Sequence, residues 1–171
     1  MSYYIVDVES DGPIPPVFSM VCFGVVKLDE KLDHTFYGQT QPISSHFNPE
    51  ALAISGLTRE QHLSFDDPKK VMIDFRDWVK QTNSNGRPIF VSDNPAYDWQ
   101  FINYYFHFYL NENPFGFSAR RIGDLYCGLT KNMHGQWKHL RKTSHTHHPV
   151  DDAKGNAEAL LYMIDHMGLK M

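Results

Sequence analysis

The chain is poor in cysteine: Cys22 and Cys127 are the only two among its 171 residues. That excludes a disulfide framework, and no Cys-x-x-Cys pair offers a thiolate zinc site. A reduced, cytoplasmic compartment is the corresponding expectation. Long apolar runs are lacking as well. No stretch approaches the roughly 18 residues of a membrane span, so no membrane partner is expected. No basic segment opens the N-terminus, and Asp7 and Glu9 interrupt the only early apolar run. A signal peptide is therefore not expected. Positive charge is scarce: 16 Lys+Arg against 20 Asp+Glu leave a formal charge of −4. This argues against bulk electrostatic capture of nucleic acid. It leaves room for a local site where carboxylates hold cations. The chain has no internal repeat, low-complexity tract or linker.

What is present suits a folded domain: 42% of residues are hydrophobic and 14% aromatic. A chain of this length buries about 70% of the surface its unfolded form exposes. One domain spanning residues 1–171 is the expectation.

The order of elements follows from hydrophobic period and turn residues. Tyr3 to Val8 reads as a buried strand, broken by the Asp11-Gly12-Pro13 and Pro15-Pro16 cluster. Val17 to Leu28 and His34 to Gln39 read as two more strands, and the short connections favour an antiparallel meander. Short helical turns follow at Pro49–Ser55 and Thr58–Leu63, the second opened by the capping box Thr58-x-x-Gln61. Asp67 to Gln81 is an amphipathic helix, with Val71, Met72, Phe75, Trp78 and Val79 on one face. Pro88–Ser92 reads as a strand, Tyr97–Leu110 as an aromatic helix, Ser118–Ile122 as a strand and Gly123–Lys131 as a helix. Asp151 to His166 is the last helix, closed by Gly168. The fold class is α/β: one mixed five-stranded sheet, an antiparallel meander plus a βαβ half, flanked by helices.

Three acidic groups stand out. Asp7 and Glu9 lie two apart on the first strand, so both side chains leave the same face. Adjacent anions raise each other's pKa unless a cation lies between them, and an oxygen-ligated divalent ion is the usual solution. Asp98 follows the fourth strand, where open α/β sheets place ligands; taken alone it reads as a first-turn acid favouring the helix dipole. Asp93 reads as a helix cap or turn residue. The third group is His145-Thr-His147-His148-Pro-Val-Asp151-Asp152, entering the last helix. There a neutral imidazole and a carboxylate can face one site. The bland alternatives are an N-cap pair and a histidine-rich loop.

Taken in order, Asp7-Val-Glu9-Ser-Asp-Gly12, Asn94-Pro-Ala-Tyr97-Asp98 and His147-His-Pro-Val-Asp-Asp152 resemble the motifs of the DEDDh 3′–5′ exonucleases, which have the ribonuclease H-like fold. Pro49-Glu50-Ala-Leu-Ala-Ile54-Ser-Gly56 is similar to the family loop that meets the substrate 3′ end, above all that of ribonuclease T. The chain departs from the pattern at Asp93-Asn94, where His-Asn is common, and at Pro149. The resemblance implies Asp7, Glu9, Asp98, His147 and Asp152 as catalytic residues. The four carboxylates would bind two ions, Mg²⁺ or Mn²⁺, with Asp98 acting through water and His147 as general base. His148 competes for that last role; the five-residue spacing to Asp152 favours His147. The implied partner is an RNA or DNA 3′ end, and the implied product a nucleoside 5′-monophosphate. Ser10, Glu50, Ile54 and Tyr97 are the implied substrate contacts. Tyr97 would stack on the terminal base, while Ile54 fits a core position equally well. Relatives of this kind are often homodimers.

One window is locally basic. Leu125 to Val150 holds no acid but carries Lys131, Lys138, Arg141, Lys142 and five histidines. It reads equally as a phosphate-tracking segment and as a mobile solvated loop. The leading expectation is an exonuclease on single-stranded or short RNA. Its rivals are a DNA proofreading-type exonuclease, a small-molecule nucleotide phosphoesterase and a non-catalytic binding module.

Overall fold

In the computed structural model, which describes residues 1–171, the N-terminal apolar run forms the centre of the sheet. Strand β1 (Tyr3–Ser10) pairs antiparallel with β2 (Met20–Lys27), which pairs antiparallel with β3 (Thr35–Gln39). On its other edge β1 runs parallel to β4 (Ile89–Ser92), and β4 to β5 (Ala119–Arg121). The order β3-β2-β1-β4-β5 is the mixed five-stranded sheet expected from the pattern. It is the sheet of a ribonuclease H-like fold.

Alternation along β1 divides the core into two layers. Tyr4, Val6 and Val8 pack with Val71, Met72 and Phe75 of α3 (Pro68–Thr82) and with Phe101, Ile102 and Tyr105 of α4 (Pro95–Leu110). Ile5 packs on the opposite side with Ala153, Ala157 and Leu160 of α6 (Pro149–Met167) and with Ile122, which opens α5 (Ile122–Thr130). Asp7 and Glu9 share the parity of Ile5, so the α6 layer receives them. Ser10 shares the parity of Val8 and meets the α4 layer instead.

Glycine at position 24 governs how closely α6 approaches. Gly24 is the cross-strand partner of Asp7, and a Cβ there would lie 2.2 Å from the carbonyl carbon of Pro149. Only a missing side chain lets the first turn of α6 rest on β2 beside Asp7.

The observed boundaries differ from expectation where proline and hydrogen bonding decide. Helices α4 and α6 each start two residues earlier, at Pro95 and Pro149. Proline suits the first helical position because its missing N–H has no intrahelical partner there. Strand β2 begins at Met20 rather than Val17, because residues 17 and 18 belong to the turn in which Phe18 N donates to Ile14 O. Strand β1 continues two residues further, to Ser10. Helices α1 (Pro49–Ile54) and α2 (Arg59–Leu63) are the short pair read from the sequence, and the Thr58–Gln61 capping box is present.

Candidate active site

Four acids converge at the carboxyl end of β1. Carboxylate oxygens of Asp7, Glu9 and Asp152 lie within 4.8 Å of one another, close enough for one ion. Asp152 is buried in the first turn of α6, where its side chain organises the turn before the helix. Oδ1 accepts from Thr146 N at 3.0 Å and Oδ2 from His147 N at 3.0 Å. Those bonds hold His147 at φ 59°, a left-handed conformation costing a non-glycine residue about 1–2 kcal/mol. Asp152 is therefore no N-cap: that position is His148, whose side chain makes no capping bond.

Asp98 lies outside the three-acid cluster and reaches the end of β1 from the opposite layer. Strand β4 stops at Ser92, and its last pair with β1 is Ile5–Val91. The Val8 N–H beyond that point has no ladder partner, and Oδ1 of Asp98 accepts it at 3.2 Å. The carboxylate is thus tied to the neighbouring strand as well as to the backbone of Asn94 at the N-terminus of its own helix. Asp93 is also not a cap, since α4 has Asn94 at that position with no side-chain bond. Asp93 instead forms an ion pair with Lys138, whose Nζ lies 2.9 Å away.

The electrostatics of this cluster favour a cation. Burial first, and then the charges of Asp98, Glu9 and Asp152, raise the Asp7 carboxyl well above its ordinary range. Burial, followed by the charges of Asp152 and Asp98, lifts Glu9 to about 7. Burial lifts Asp98 to about 7, against hydrogen bonds that pull the other way. Like charges held this close without a counter-ion are unfavourable. An all-oxygen donor set of this charge fits a hard divalent cation.

The histidines separate in space. Nδ1 of His147 is 3.8 Å from Glu9 Oε1, and its side chain is half-exposed. His148 turns elsewhere, with Nδ1 3.8 Å from Asp151 and its ring 5.0 Å from that of Tyr37. His145 carries no role in the sequence reading, yet its Nδ1 lies 2.9 Å from Asp152 Oδ1. Its ring meets His147 edge to face at 4.3 Å. The only signal for it was its place two residues before His147.

The remaining candidates flank this centre. Ser10 is buried, and its hydroxyl bridges Gly12 O and the Tyr97 hydroxyl. Tyr97 is partly buried against Phe101. Glu50 and Ile54 are exposed on α1, Ile54 at 54% of its surface, which excludes the core position considered for it. Sequence reasoning missed what holds α1 and α2 there. Arg59 Nη1 donates to Oδ2 of the fully buried Asp11 at 2.8 Å, and Nη2 to Ser44 O at 3.0 Å. His62 packs beside them, its pKa pushed down to about 4 by burial and by Arg59, so it stays neutral. Asp11 had the appearance of a turn residue, since the segment after it is rich in glycine and proline.

Comparison with known proteins gives this geometry a family. The family model described as the Rv2179c-like 3′-5′ exoribonuclease domain matches residues 2–164. The chain is 36% identical over 177 residues to the 3′-5′ DNA exonuclease Cap18 of Escherichia coli, covering 96% of this chain and 92% of that protein. Among solved structures, the nuclease domain of 3′hExo, a DEDDh family member bound to rAMP, superposes with a TM-score of 0.79. The two are 20% identical, with 99% of this chain and 94% of that one covered. Cell-death related nuclease 4 superposes with a TM-score of 0.77 at 16% identity, over 96% of this chain and 64% of that one. No helix here is long and apolar enough to cross a membrane.

Proposed function

The chain belongs to the family of Rv2179c-like 3′-5′ exoribonuclease domains, and from that premise we propose that it trims single-stranded RNA from the 3′ end, releasing nucleoside 5′-monophosphates. The observation that carries this reading is the convergence of Asp7, Glu9 and Asp152 within 4.8 Å at the end of the central strand. Asp7, Glu9 and Asp152 would hold one divalent cation, and Asp7 with Asp98 would serve a second; Mg²⁺ and Mn²⁺ both suit the oxygen donors. Such ions supply charge neutralisation at the scissile phosphate and a lowered pKa for the attacking water.

The chain's own groups do the rest. His147, half-exposed beside Glu9, takes the proton from the attacking water. The two N–H bonds to Asp152 fix the backbone from which its imidazole projects. Tyr97 offers a ring face to the terminal base, with its hydroxyl tied to Ser10. Glu50 and Ile54, on the exposed surface of α1, meet the terminal nucleotide. The Arg59–Asp11 pair holds α1 and α2 against the end of β1.

A second reading, DNA as the strand, is favoured by the 36% identity to a DNA exonuclease. Digestion of 5′-labelled RNA and DNA strands with Mg²⁺ or Mn²⁺ tests both. A ladder shrinking from the 3′ end and lost in Asp7→Asn is expected, and relative rates decide the sugar. Internal cuts, or phosphate release from mononucleotides with oligomers untouched, would overturn the proposal.

A further inference from the structure

The basic window takes a fixed form. Glu158 of α6 accepts from Lys142 N at 2.8 Å, Thr143 N at 2.7 Å and Thr143 Oγ1 at 2.9 Å. Gly155, one turn earlier, leaves the space this approach needs: a Cβ there would lie 2.9 Å from Thr143 O. Arg141 is nearly buried, stacks on Trp137 at 4.9 Å and donates through Nη2 to Asn156. Residues 141–143 are therefore clamped along α6, the helix that carries Asp152.

This clamped segment walls a cavity of about 310 Å³ lined by Lys138, Arg141, Lys142, Thr143, Ser144 and His145, with no hydrophobic residue. One end is His145, whose Nδ1 is 2.9 Å from Asp152. At the other, Lys138 is shared with a second cavity of about 480 Å³ that extends to Asp93 and Asn94 at the start of α4. The Nε of Arg141 is buried without a partner, a donor with no acceptor in the protein. Two lysine ammonium groups, the Arg141 guanidinium and the Ser144 hydroxyl form a surface that recognises oxyanions spaced along a chain. Asp93 is the acid paired with its side-chain cations: it holds Lys138 at 2.9 Å and lies 3.8 Å from Arg141.

We propose that this trough is the path of the substrate backbone: Lys138, Arg141 and Lys142 bind phosphodiesters upstream of the scissile one, and Asp93 occupies Lys138 until a phosphate displaces it. The proposal rests on the exonuclease reading and deepens it, since it selects single strands long enough to cover the trough over dinucleotides. It also explains how a chain with net charge −4 engages a polyanion: the cations are concentrated on one wall beside the acids.

The test is binding of a fluorescent single strand, blocked by phosphorothioates at its 3′ end, in Mg²⁺ over a range of NaCl. A Lys138→Ala/Lys142→Ala protein should show a slope of log Kd against log[NaCl] shallower by about 1.4, or about 0.7 for each phosphate that no longer meets a lysine. Asp93→Asn should change binding in the opposite sense, tightening it severalfold at low salt, which a merely structural role would not produce. With cleavable substrates, kcat/KM of the lysine variant should fall about tenfold more on a long strand than on a dinucleotide. An unchanged salt slope, or equal losses on both lengths, would overturn the trough. A wild-type enzyme that binds with the expected slope but trims no strand would instead overturn the exonuclease reading and leave the trough standing.

Discussion

Arg59 donates a 2.8 Å hydrogen bond to Asp11, a carboxylate with no exposed surface, across 48 residues of chain. The pair joins the end of the strand bearing Glu9 to α2, the helix that follows the one bearing Glu50 and Ile54. Breaking one partner of a buried ion pair strands the other charge, at a cost of about 3–5 kcal/mol. Arg59→Met should therefore shift the urea midpoint strongly downward. Asp11→Asn combined with Arg59→Met should recover more than half of that loss, because no buried charge remains. A double variant as unstable as the single one would contradict this role for the pair.

Gly24 is the second long-range requirement. Gly24→Ala places a methyl 2.2 Å from the Pro149 carbonyl carbon, so α6 must move away from β2. Overpacking of this kind costs about 1–3 kcal/mol, and here it also displaces Asp152. Both the melting temperature and the apparent affinity for Mn²⁺ should fall. Calorimetric titration of the folded variant with Mn²⁺ checks the second effect separately from the first.

The acid cluster gives a pH dependence of defined sign. Glu9 and Asp98 are raised to about 7 from ordinary values of 4.5 and 3.8. A raised folded-state pKa contributes stability that is fully present below the ordinary value and lost as pH rises through the folded one. In EDTA, these carboxyls should therefore lower the melting temperature between about pH 4 and pH 8. Mg²⁺ or Mn²⁺ binds the ionised forms and should restore it, with a larger rise at pH 8 than at pH 5. At saturating ion, about 100-fold above Kd, the gain is about 2.7 kcal/mol. Asp7→Asn should shrink both effects; a metal-induced shift independent of pH would refute the assignment.

His147 and His148 separate by position, and their variants should separate by kinetics. His147 neighbours Glu9, whereas His148 lies against Tyr37 and Asp151. His147→Ala should lose about 10²–10⁴-fold in kcat, the range for a general base, and should flatten the acid limb of the pH–rate profile. His148→Ala should keep kcat within about tenfold and retain that limb. The reverse pattern would transfer the base to His148.

Much of the fold was legible because its signals are local. Alternation gave Asp7 and Glu9 a shared face, and the periodic apolar residues of 71–79 and 153–167 marked α3 and α6. The Thr58–Gln61 capping box is closed within four residues, so its chemistry is complete in the sequence. The family was legible through the order of its motifs, and the 2–164 family match bears that out. His145 was not legible as a neighbour of Asp152, since a turn before a helix has no period to orient a side chain. Asp11 was read as part of a chain break because its partner lies 48 residues away.

By itself, then, the sequence determined which residues share a face and in what order strands and helices follow one another. Those properties follow from backbone period and from residues that meet a few positions apart. Tertiary structure alone decided that Gly24 admits α6 beside Asp7, that Asp98 takes the Val8 N–H left free by the short β4, and that Glu158 clamps a basic segment into a trough. Each joins residues distant in the chain, and their meeting depends on how layers pack, which no local pattern encodes.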